Sequence, residues 1–226
     1  MLMKTVLITG GTVRLGKAIA ERLRTEGWRV ITSSHRADAD ADIVADLTEP
    51  MGAAKLYAAA LQMLGGIPPD ALVNNAALFV GEAAAIAAVN LEAPKKLTMM
   101  MAGREGGVGA VVNILDAAAS CSSNSSDASR SSDSSQASPG YLESKRELRA
   151  FTLSSAMMFA ASLRVNAVAP GPVLAPTDVH EKAGETLLAR RPTADDVAAS
   201  VAYLLAAESV TGAIIPVDAG QHLLGE

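Results

Sequence analysis

The sequence predicts an α/β protein with a doubly wound parallel sheet of about seven strands in a single domain, residues 1–226. Two observations carry this prediction. Short apolar runs rich in β-branched residues alternate with amphipathic segments along the whole chain, and the length suits one domain of this kind. Continuously apolar runs are typical of strands buried on both faces, and their alternation with helices produces right-handed crossovers between parallel strands.

The first run, residues 4–9, is predicted to be a strand because valine, leucine and isoleucine follow one another within it. Leu15, Ile19 and Leu23 then recur every four residues with basic residues between them, which predicts an amphipathic helix. Gly27 stands where a helix commonly ends in the left-handed conformation. Further strands are predicted at 28–33, 42–45, 71–74, 110–115, 164–168 and 213–217.

The segments between these strands have the length and periodicity of helices. Pro94 predicts a turn or a kink within one of them, and Thr193 caps the last, helped by Asp195 and Asp196 in its first turn. These predicted helices are 56–64, 82–102, 141–160 and 195–207.

One segment departs from the pattern. Between residues 120 and 138, eleven of nineteen residues are serine. Such a segment cannot bury apolar area, so we expect a low-complexity, solvated loop. A flexible insertion without function is its simplest interpretation.

The composition excludes several functional classes. Half of the 226 residues are hydrophobic, 19% are charged and the mean hydropathy is +0.25, so the chain is not of the disordered class. A net charge of −5 argues against binding of nucleic acid or anionic lipid. The one cysteine, Cys121, cannot form an internal disulfide, and the longest apolar window, 197–207, is too short for a membrane span. The opening apolar run is too short for a signal peptide, so we expect a cytoplasmic protein without a membrane partner.

The first turn between strand and helix is rich in glycine. It reads Thr-Gly-Gly-Thr-Val-Arg-Leu-Gly over residues 9–16. Glycines allow a tight turn and a close approach of backbone N–H groups to a pyrophosphate, and the start of the helix adds partial positive charge. In this strand–turn–helix context the turn predicts dinucleotide binding by a Rossmann-type sheet. The alternative is an ordinary turn that needs glycine for its backbone conformation.

The end of the second strand indicates which dinucleotide is bound. An NAD site usually places an acidic residue there to bond the ribose 2′-hydroxyl, and this chain has none at that point. Arg36 could instead bond a 2′-phosphate, with His35, Ser33 or Ser34 as additional donors, which predicts NADP(H). The alternative is that Arg36 is a solvated loop charge. Asp46, after the third strand, either accepts a hydrogen bond from the adenine amino group or is a surface turn acid.

Tyr141 and Lys145 lie four residues apart at the start of a predicted helix, so their side chains share one face. A lysine ammonium favours a neighbouring phenolate, and we expect it to lower the pKa of Tyr141 from the ordinary value of about 10. Such a tyrosine can exchange a proton with a substrate oxygen or nitrogen near neutral pH. The dinucleotide-binding turn earlier in the chain strengthens the prediction that this pair is catalytic.

With these residues in view, the chain resembles the short-chain dehydrogenase/reductase family over nearly its whole length. The resemblance lies in motifs spread from the first strand to the last. They are the glycine-rich turn, Asp46-Leu47, Asn74-Asn75-Ala76, Val89-Asn90, Asn113-Ile114, Tyr141 with Lys145, Pro170-Gly171 and Val217-Asp218-Ala219-Gly220.

Four details are similar to the pteridine reductase branch of that family. Arg14 stands in the first turn where most relatives have glycine, and His35-Arg36 ends the second strand as in the phosphate-binding segment of that branch. Asp116 stands where most relatives carry the catalytic serine and where pteridine reductases carry aspartate. Phe79 matches the aromatic residue that would stack a pterin over the nicotinamide.

The resemblance implies a role for each of these residues. Tyr141 would donate a proton, and Lys145 would be its electrostatic partner and bond the nicotinamide ribose. Asn90 would hold a water that links Lys145 to solvent, and Asp116 would complete the catalytic group. Substrate contacts would come from Phe79, Arg14, Asp116 and Tyr141, and no metal site is predicted. The residues implied to bind NADP(H) are Gly10, Thr12, Arg14, Leu15, Gly16, Ser34, His35, Arg36, Asp46, Asn75, Ala76, Lys145, Pro170 and Gly171.

Asp116 carries the most specific expectation. A carboxylate beside Tyr141 opposes ionisation of the phenol, so either the phenol stays protonated or the two groups share a proton and titrate together. Both cases favour delivering a proton during reduction of a C=N bond over abstracting one from an alcohol. The alternative is that Asp116 only caps the loop after the fifth strand.

Two spacings depart from the family pattern. Asp116 and Tyr141 are twenty-five residues apart because of the serine-rich segment, so Ser129 or another loop serine could take the place of Asp116. Asn75 and Asn90 are only fifteen residues apart, which shortens a helix near the expected substrate mouth and bears on the role of Asn90.

The sequence therefore predicts an NADPH-dependent reductase whose substrate is a pterin, converted from the dihydro to the tetrahydro form. A carbonyl or 3-oxoacyl reductase on the same scaffold is one alternative, and a non-catalytic NADPH-binding sensor or structural subunit is another. The resemblance also suggests a homo-oligomer, either a tetramer or a dimer.

Overall fold

The computed structural model describes residues 3–37, 39–104, 107–119, 138, 140–173 and 186–225. Apart from Ser138, the serine-rich segment lies outside these described residues, as do Cys121 and Ser129. The predictions that concern this segment therefore stay predictions.

The described residues form one sheet of seven parallel strands, as the sequence predicts. The strands are β1 (Thr5–Thr9), β2 (Arg29–Ser34), β3 (Ile43–Val44), β4 (Ala71–Asn74), β5 (Gly109–Ile114), β6 (Leu163–Pro170) and β7 (Ile214–Val217). Their order across the sheet is β3-β2-β1-β4-β5-β6-β7, so the direction of winding reverses between β1 and β4. In such sheets ligands bind at the carboxyl edge beside this reversal.

Helices cover both faces of the sheet. Those described are α1 (Arg14–Thr25), α2 (Gly52–Met63), α3 (Ala83–Ala87), α4 (Ala93–Ala102), α5 (Tyr141–Met158) and α6 (Ala194–Ala206). A π-helical segment, Ala88–Glu92, joins α3 to α4, and short 3₁₀ helices, Ala117–Ala119 and Gln221–Gly225, follow β5 and β7. None of the helices in the described ranges is long and apolar enough to cross a membrane.

The side chains of β1 show how the core is layered. Val6 and Ile8 point to one face, where they pack in a cluster with α1 and α6, while Leu7 points to the other face and packs with α2 and α4. Ile19 and Leu23, predicted from their spacing to line the buried face of α1, have no exposed surface. The sheet is thus covered on both sides, and this leaves its carboxyl edge for a site.

Two helix boundaries differ from the sequence prediction in an informative way. Helix α2 begins at Gly52, four residues before the predicted start. Gly52 packs so closely on the preceding loop that a Cβ there would lie 1.9 Å from the carbonyl oxygen of Asp46. Pro94 stands in the first turn of α4, directly after the π-helical segment. Since proline has no N–H to donate, it is accommodated beside this change in helix type, at the position of the predicted turn or kink.

A chain of buried hydrogen bonds ties α5 to the centre of the sheet. Asn74 Nδ2 on β4 donates to Asn113 Oδ1 on β5 at 2.8 Å, and Asn113 Nδ2 donates to Thr152 Oγ1 on α5 at 2.9 Å. Thr152 Oγ1 in turn donates to the carbonyl oxygen of Leu148 at 2.8 Å. All three polar side chains are at most 2% exposed, so their bonds fix the position of the helix that carries Tyr141.

Candidate active site

The glycine-rich turn after β1 is anchored to the end of β4. Asn75 Nδ2 donates to the carbonyl oxygens of Thr9 and Gly10 at 3.0 and 2.9 Å, and Thr9 Oγ1 accepts from the amides of Asn75 and Ala76 at 3.0 Å each. Gly10 has a φ of +64°, and a Cβ on Gly16 would lie 2.0 Å from the Gly10 carbonyl oxygen. Only glycine fits at position 16, so the strand and the helix start approach one another closely.

The start of α1 has the chemistry of an anion site. Val13, the residue that precedes the helix, makes no capping hydrogen bond with its side chain, and no acidic residue lies in the first turn. The backbone N–H groups of this turn and the helix dipole therefore favour a negatively charged group there, with Thr12 and Leu15 beside them. Arg14, the first residue of the helix, has a φ of +48°, a conformation that side chains rarely adopt, and its side chain is exposed. The residues present fit a dinucleotide pyrophosphate.

The end of β2 offers donors to a further phosphate. Ser34 is buried and its Oγ accepts a hydrogen bond from the Arg36 amide at 3.1 Å, while the side chains of His35 and Arg36 are exposed. The nearby carboxylate of Asp42 accepts from the amide and hydroxyl of Thr32 at 2.7 and 2.8 Å. The basic side chains and the serine thus stand where a cofactor 2′-phosphate is expected.

The side chain of Asp46 stabilises its own loop through hydrogen bonds. Its Oδ1 accepts from the amide and the hydroxyl of Thr48 at 2.8 and 2.7 Å, and these bonds hold the pKa of Asp46 below its ordinary value. The surface-turn interpretation of Asp46 therefore describes its present contacts, and an adenine contact stays a prediction for its other oxygen.

Tyr141 and Asp116 are in direct contact. Tyr141 begins α5 directly after Gly140, and its hydroxyl donates to Asp116 Oδ2 at 3.0 Å. Lys145 Nζ, one turn further along, donates to the carbonyl oxygen of Ile114 at 2.8 Å and lies 5.9 Å from the centroid of the Tyr141 ring. Tyr141 and Lys145 are 8% and 2% exposed. The three ionisable groups predicted to form the catalytic group therefore lie together at the carboxyl edge of β5.

Asp116 also caps the turn that follows it. Its Oδ1 accepts from the Ala118 amide at 2.9 Å, and its backbone oxygen accepts from the Ala119 amide at 3.0 Å. The sequence left two interpretations of Asp116 open, a cap and a partner of Tyr141. Both hold, because one carboxylate oxygen caps the turn and the other bonds Tyr141.

The electrostatics of the group differ from the expectation based on lysine alone. Burial raises the pKa of Tyr141 well above its ordinary value, and the charge of Asp116 and its hydrogen bond raise it further. Burial lowers the pKa of Lys145 to about 8, against the attraction of Asp116. The predicted lowering of the Tyr141 pKa is therefore wrong for the free protein, because burial and a neighbouring carboxylate outweigh the ammonium. The expectation that Asp116 keeps the phenol protonated agrees with this direction.

Asn90 lies in the π-helical segment and has no exposed surface. Its Nδ2 donates to the Leu78 carbonyl oxygen at 2.9 Å and to Ser144 Oγ at 3.2 Å, and its Oδ1 accepts from the Leu78 amide at 2.8 Å. Both amide hydrogens are thus used by the protein. The predicted water would have to be held by an oxygen of Asn90, and its observed contacts anchor the loop that precedes Phe79.

Phe79 lies beside the catalytic group. Its ring meets that of Tyr141 edge to face, with centroids 4.8 Å apart and an angle of 67° between the planes. The side chain is 41% exposed, and its carbonyl oxygen accepts from the Ser138 amide at 3.1 Å. The exposed part of Phe79 offers a face on which a flat ring could stack.

The ends of β6 and β7 close the same edge. Pro170 is the last residue of β6, and the Gly171 amide donates to the Val217 carbonyl oxygen at 3.0 Å. Two contacts at this edge were not expected from the sequence. Ser144 Oγ accepts a hydrogen bond from Asn90, and the carboxylate of Asp218 bonds the imidazole of His222. The spacing of four residues between Asp218 and His222 is a signal that could have drawn attention to the second of these. In the described part of the chain, no group of histidine, cysteine and acidic side chains could hold a metal ion.

The fold and this edge define a nicotinamide-dependent oxidoreductase of the short-chain type. A family model described as enoyl-(acyl carrier protein) reductase matches residues 13–222, and the chain belongs to the short-chain dehydrogenase/reductase family. The predicted family and enzyme class are thus confirmed.

The names of similar proteins refer to different substrates. A protein of Streptomyces violaceoruber named as ketoacyl reductase 2 of the granaticin polyketide synthase is 30% identical in an alignment of 256 positions that covers 96% of each chain. Glucose 1-dehydrogenase 2 of Bacillus subtilis is 28% identical in an alignment of 252 positions that covers 97% of this chain and 95% of that protein. Among solved structures, FolM alternative dihydrofolate reductase 1 from Brucella canis complexed with NADP is 31% identical with a TM-score of 0.79, covering 97% of this chain and 94% of that chain.

Proposed function

We propose that the protein is an NADPH-dependent reductase that converts a dihydropterin to a tetrahydropterin. The observation that carries the proposal is the hydrogen bond from the Tyr141 hydroxyl to Asp116, because it pairs a protonated phenol with a carboxylate. Similarity to a structure described as an alternative dihydrofolate reductase complexed with NADP supports both the substrate class and the cofactor.

The residues of the carboxyl edge fit NADPH. The turn over Gly10 and Gly16 and the start of α1 would hold the pyrophosphate, and Arg36 with its neighbours would hold the 2′-phosphate. Pro170 and Gly171 would border the nicotinamide. When bound, the cofactor supplies the hydride that reduces the C=N carbon.

Tyr141 would supply the proton that the substrate nitrogen requires. Loss of this proton alone would leave a phenolate beside the carboxylate of Asp116, which like-charge repulsion disfavours. Delivery is easier when Asp116 carries a proton that it passes to Tyr141, so the two groups would titrate as one coupled pair. Lys145, held by the Ile114 carbonyl, would stabilise the negative charge that forms on this pair.

A carbonyl or 3-oxoacyl reductase is the second candidate function. It is favoured by the similarity over nearly full length to a protein named as a ketoacyl reductase of a polyketide synthase. Both candidates use the same fold and cofactor, and they differ in whether the proton goes to a nitrogen or an oxygen.

Oxidation of NADPH by a panel of dihydropterins and simple ketones tests the proposal. We expect turnover with a dihydropterin, and a loss of about 100-fold or more in Tyr141→Phe. Tyr203→Phe is the matched control, because Tyr203 is 56% exposed on α6, away from the catalytic group. Turnover of ketones alone would favour the second candidate, and NADPH binding without consumption would indicate a non-catalytic sensor.

A further inference from the structure

The loop that carries Phe79 is held from two sides. On one side Asn90 bonds the backbone of Leu78, whose amide donates to Asn90 Oδ1 at 2.8 Å and whose carbonyl oxygen accepts from Asn90 Nδ2 at 2.9 Å. On the other side lies Ser138, three residues before Tyr141. The loop is thus attached both to the π-helical segment and to the residues that precede α5.

The amide, hydroxyl and carbonyl groups of Ser138 all take part in this attachment. Its amide donates to the Phe79 carbonyl oxygen at 3.1 Å, and its Oγ accepts from the Gly81 amide at 3.0 Å. Its carbonyl oxygen accepts from the amide of Tyr141, the first residue of α5, at 3.1 Å. Ser138 therefore joins the two segments whose aromatic rings are in contact.

These hydrogen bonds form a closed network around the contact between the two rings. Ser144 Oγ donates to the Tyr141 carbonyl oxygen at 2.6 Å and accepts from Asn90 Nδ2 at 3.2 Å. Tyr141 is thus linked to the Phe79 loop through Ser144 and Asn90 in one direction and through Ser138 in the other. Asn90 and Ser144 are buried, whereas Ser138 is partly exposed. A bond can therefore be removed at Ser138 without leaving a polar group unpaired in the core.

The orientation of the Phe79 ring depends strongly on the backbone that carries it. The ring meets Tyr141 with one edge, and the side chain is 41% exposed. Because much of this side chain is in contact with solvent, packing restricts its rotation less than it would restrict a buried ring. The bonds to the Phe79 loop therefore help to keep the ring against Tyr141 with a face available for stacking.

We propose that Ser138 is a positioning residue that fixes the Phe79 ring beside Tyr141 and thereby gives the site a preference for flat substrates. A ring that is already held in place loses little side-chain freedom when a flat heterocycle stacks on it. The inference rests on the proposed function, because a pterin is a flat heterocycle of this kind. Ser138 acts through Phe79 without touching the substrate, and Tyr141 remains the proton donor.

A double-mutant cycle tests whether Ser138 acts through Phe79. Ser138→Ala removes the acceptor of the Gly81 amide and keeps both backbone bonds, whereas Ser138→Thr keeps a hydroxyl. We expect Ser138→Ala to raise the KM for dihydrobiopterin about fivefold with little change in kcat, and Ser138→Thr to have the wild-type KM. In Phe79→Leu, which has no ring to position, Ser138→Ala should raise the KM no further.

Any of three results overturns the inference: an unchanged KM in Ser138→Ala, an equal rise in KM with and without the Phe79 ring, or a fall in kcat at constant KM. The last of these would mean that Ser138 acts on Tyr141 instead. Ser154→Ala is the matched control and should keep the wild-type KM, because the Ser154 hydroxyl is exposed on α5 and bonds a carbonyl oxygen of its own helix. Thermal unfolding of each variant shows that folded proteins are being compared.

A measurement without substrate separates this inference from the proposed function. The chain has three phenylalanines and three tyrosines, and rings whose centroids lie 4.8 Å apart give NMR cross-peaks between the protons of Phe79 and Tyr141. We expect these cross-peaks in the wild type and Ser138→Thr, and a loss of their intensity in Ser138→Ala. If that pattern is seen and the wild type does not reduce dihydrobiopterin, the proposed function alone is contradicted. Equal intensities in Ser138→Ala and the wild type overturn the role of Ser138 whatever the substrate is.

Discussion

Asp116 bonds the Tyr141 hydroxyl with one oxygen and the Ala118 amide with the other, at 3.0 and 2.9 Å. The same carboxylate therefore shapes its own turn and adds to the effect of burial in raising the pKa of the phenol. A substitution at this position changes chemistry without changing the turn only if the second bond is kept. Asparagine meets this condition, because its oxygen can still accept from the amide.

The first prediction concerns Asp116→Asn. The variant has no ionisable group hydrogen-bonded to the Tyr141 hydroxyl, so the transition that the coupled pair produces on the acid side of the kcat/KM profile should disappear or move. Steady-state rates measured across the pH range with a dihydropterin would show this. Asp116→Ser should behave in the same way, and a profile that matches the wild type in both variants would argue against a catalytic role.

The second prediction concerns the pH dependence of stability. Burial lowers the pKa of Lys145 from 10.5 to about 8. Between these values the unfolded chain binds a proton that the folded protein does not, so this residue makes the free energy of unfolding increase as the pH rises through that interval. Relative to Lys145→Met, the wild type should gain on the order of 3 kcal/mol across it.

Urea unfolding of both proteins at a series of pH values measures this gain. Lys55→Met is the control, because the side chain of Lys55 is 67% exposed and pairs with Glu49 at the surface. Unfolding free energies of wild type and Lys145→Met that change in parallel with pH would contradict the assigned direction.

The third prediction concerns the choice of cofactor. Arg36→Leu removes the planar donor group proposed to bond the 2′-phosphate, so the Kd for NADPH should increase about 10- to 100-fold while the Kd for NADH stays the same. Titration of the intrinsic or nicotinamide fluorescence measures both constants. Arg24→Leu, on the exposed side of α1, should change neither. An equal increase in the Kd for NADPH and for NADH would show that Arg36 does not contact the 2′-phosphate.

The fourth prediction separates backbone strain from ligand binding at Arg14. Its φ of +48° suits glycine, whereas alanine keeps the strain and loses the guanidinium. Arg14→Gly should therefore be more stable than Arg14→Ala by about 1 kcal/mol. Both variants should lose the same NADPH affinity if the side chain contacts the cofactor. Thermal unfolding and NADPH titration of the pair test the two statements independently.

The fifth prediction concerns the close approach in the first turn. A Cβ on Gly16 would lie 2.0 Å from a backbone oxygen, which cannot move without displacing β1. Gly16→Ala should lower the free energy of unfolding by about 3 kcal/mol or more and weaken NADPH binding. At Gly103 the nearest atom would be 3.6 Å away, so Gly103→Ala should have a small effect on thermal stability.

The sequence predicts the sheet well because its signals are local. Each buried strand is a short apolar run, and Ile19 and Leu23 mark the inner face of α1 by their spacing. The start of α2 was missed because glycine and alanine are too small to mark a buried face clearly, although Ala53 lies on the same buried face as Leu56 and Tyr57, and because the fit of Gly52 depends on the loop of Asp46. Contacts with the preceding loop decide such a boundary.

The candidate site divides in the same way. The placement of Tyr141 beside Lys145 on α5 follows from their spacing, and Asp116 was identified from its motif. The pKa of Tyr141 could not be predicted, because its direction depends on how deeply the hydroxyl is buried. The hydrogen bonds between the Asn90 side chain and the Leu78 backbone were missed for a similar reason. They require a π-helical segment, which no periodicity in the sequence indicates.

The buried chain from Asn74 through Asn113 to Thr152 has a consequence for the position of Tyr141 relative to the sheet. Apolar side chains alone would allow α5 to slide along the sheet by a fraction of a turn at little cost. Sliding here would leave amide and hydroxyl groups unpaired in the interior, so the helix has one permitted register. Tyr141, the first residue of that helix, is therefore held at one position relative to the sheet by hydrogen bonds of the core.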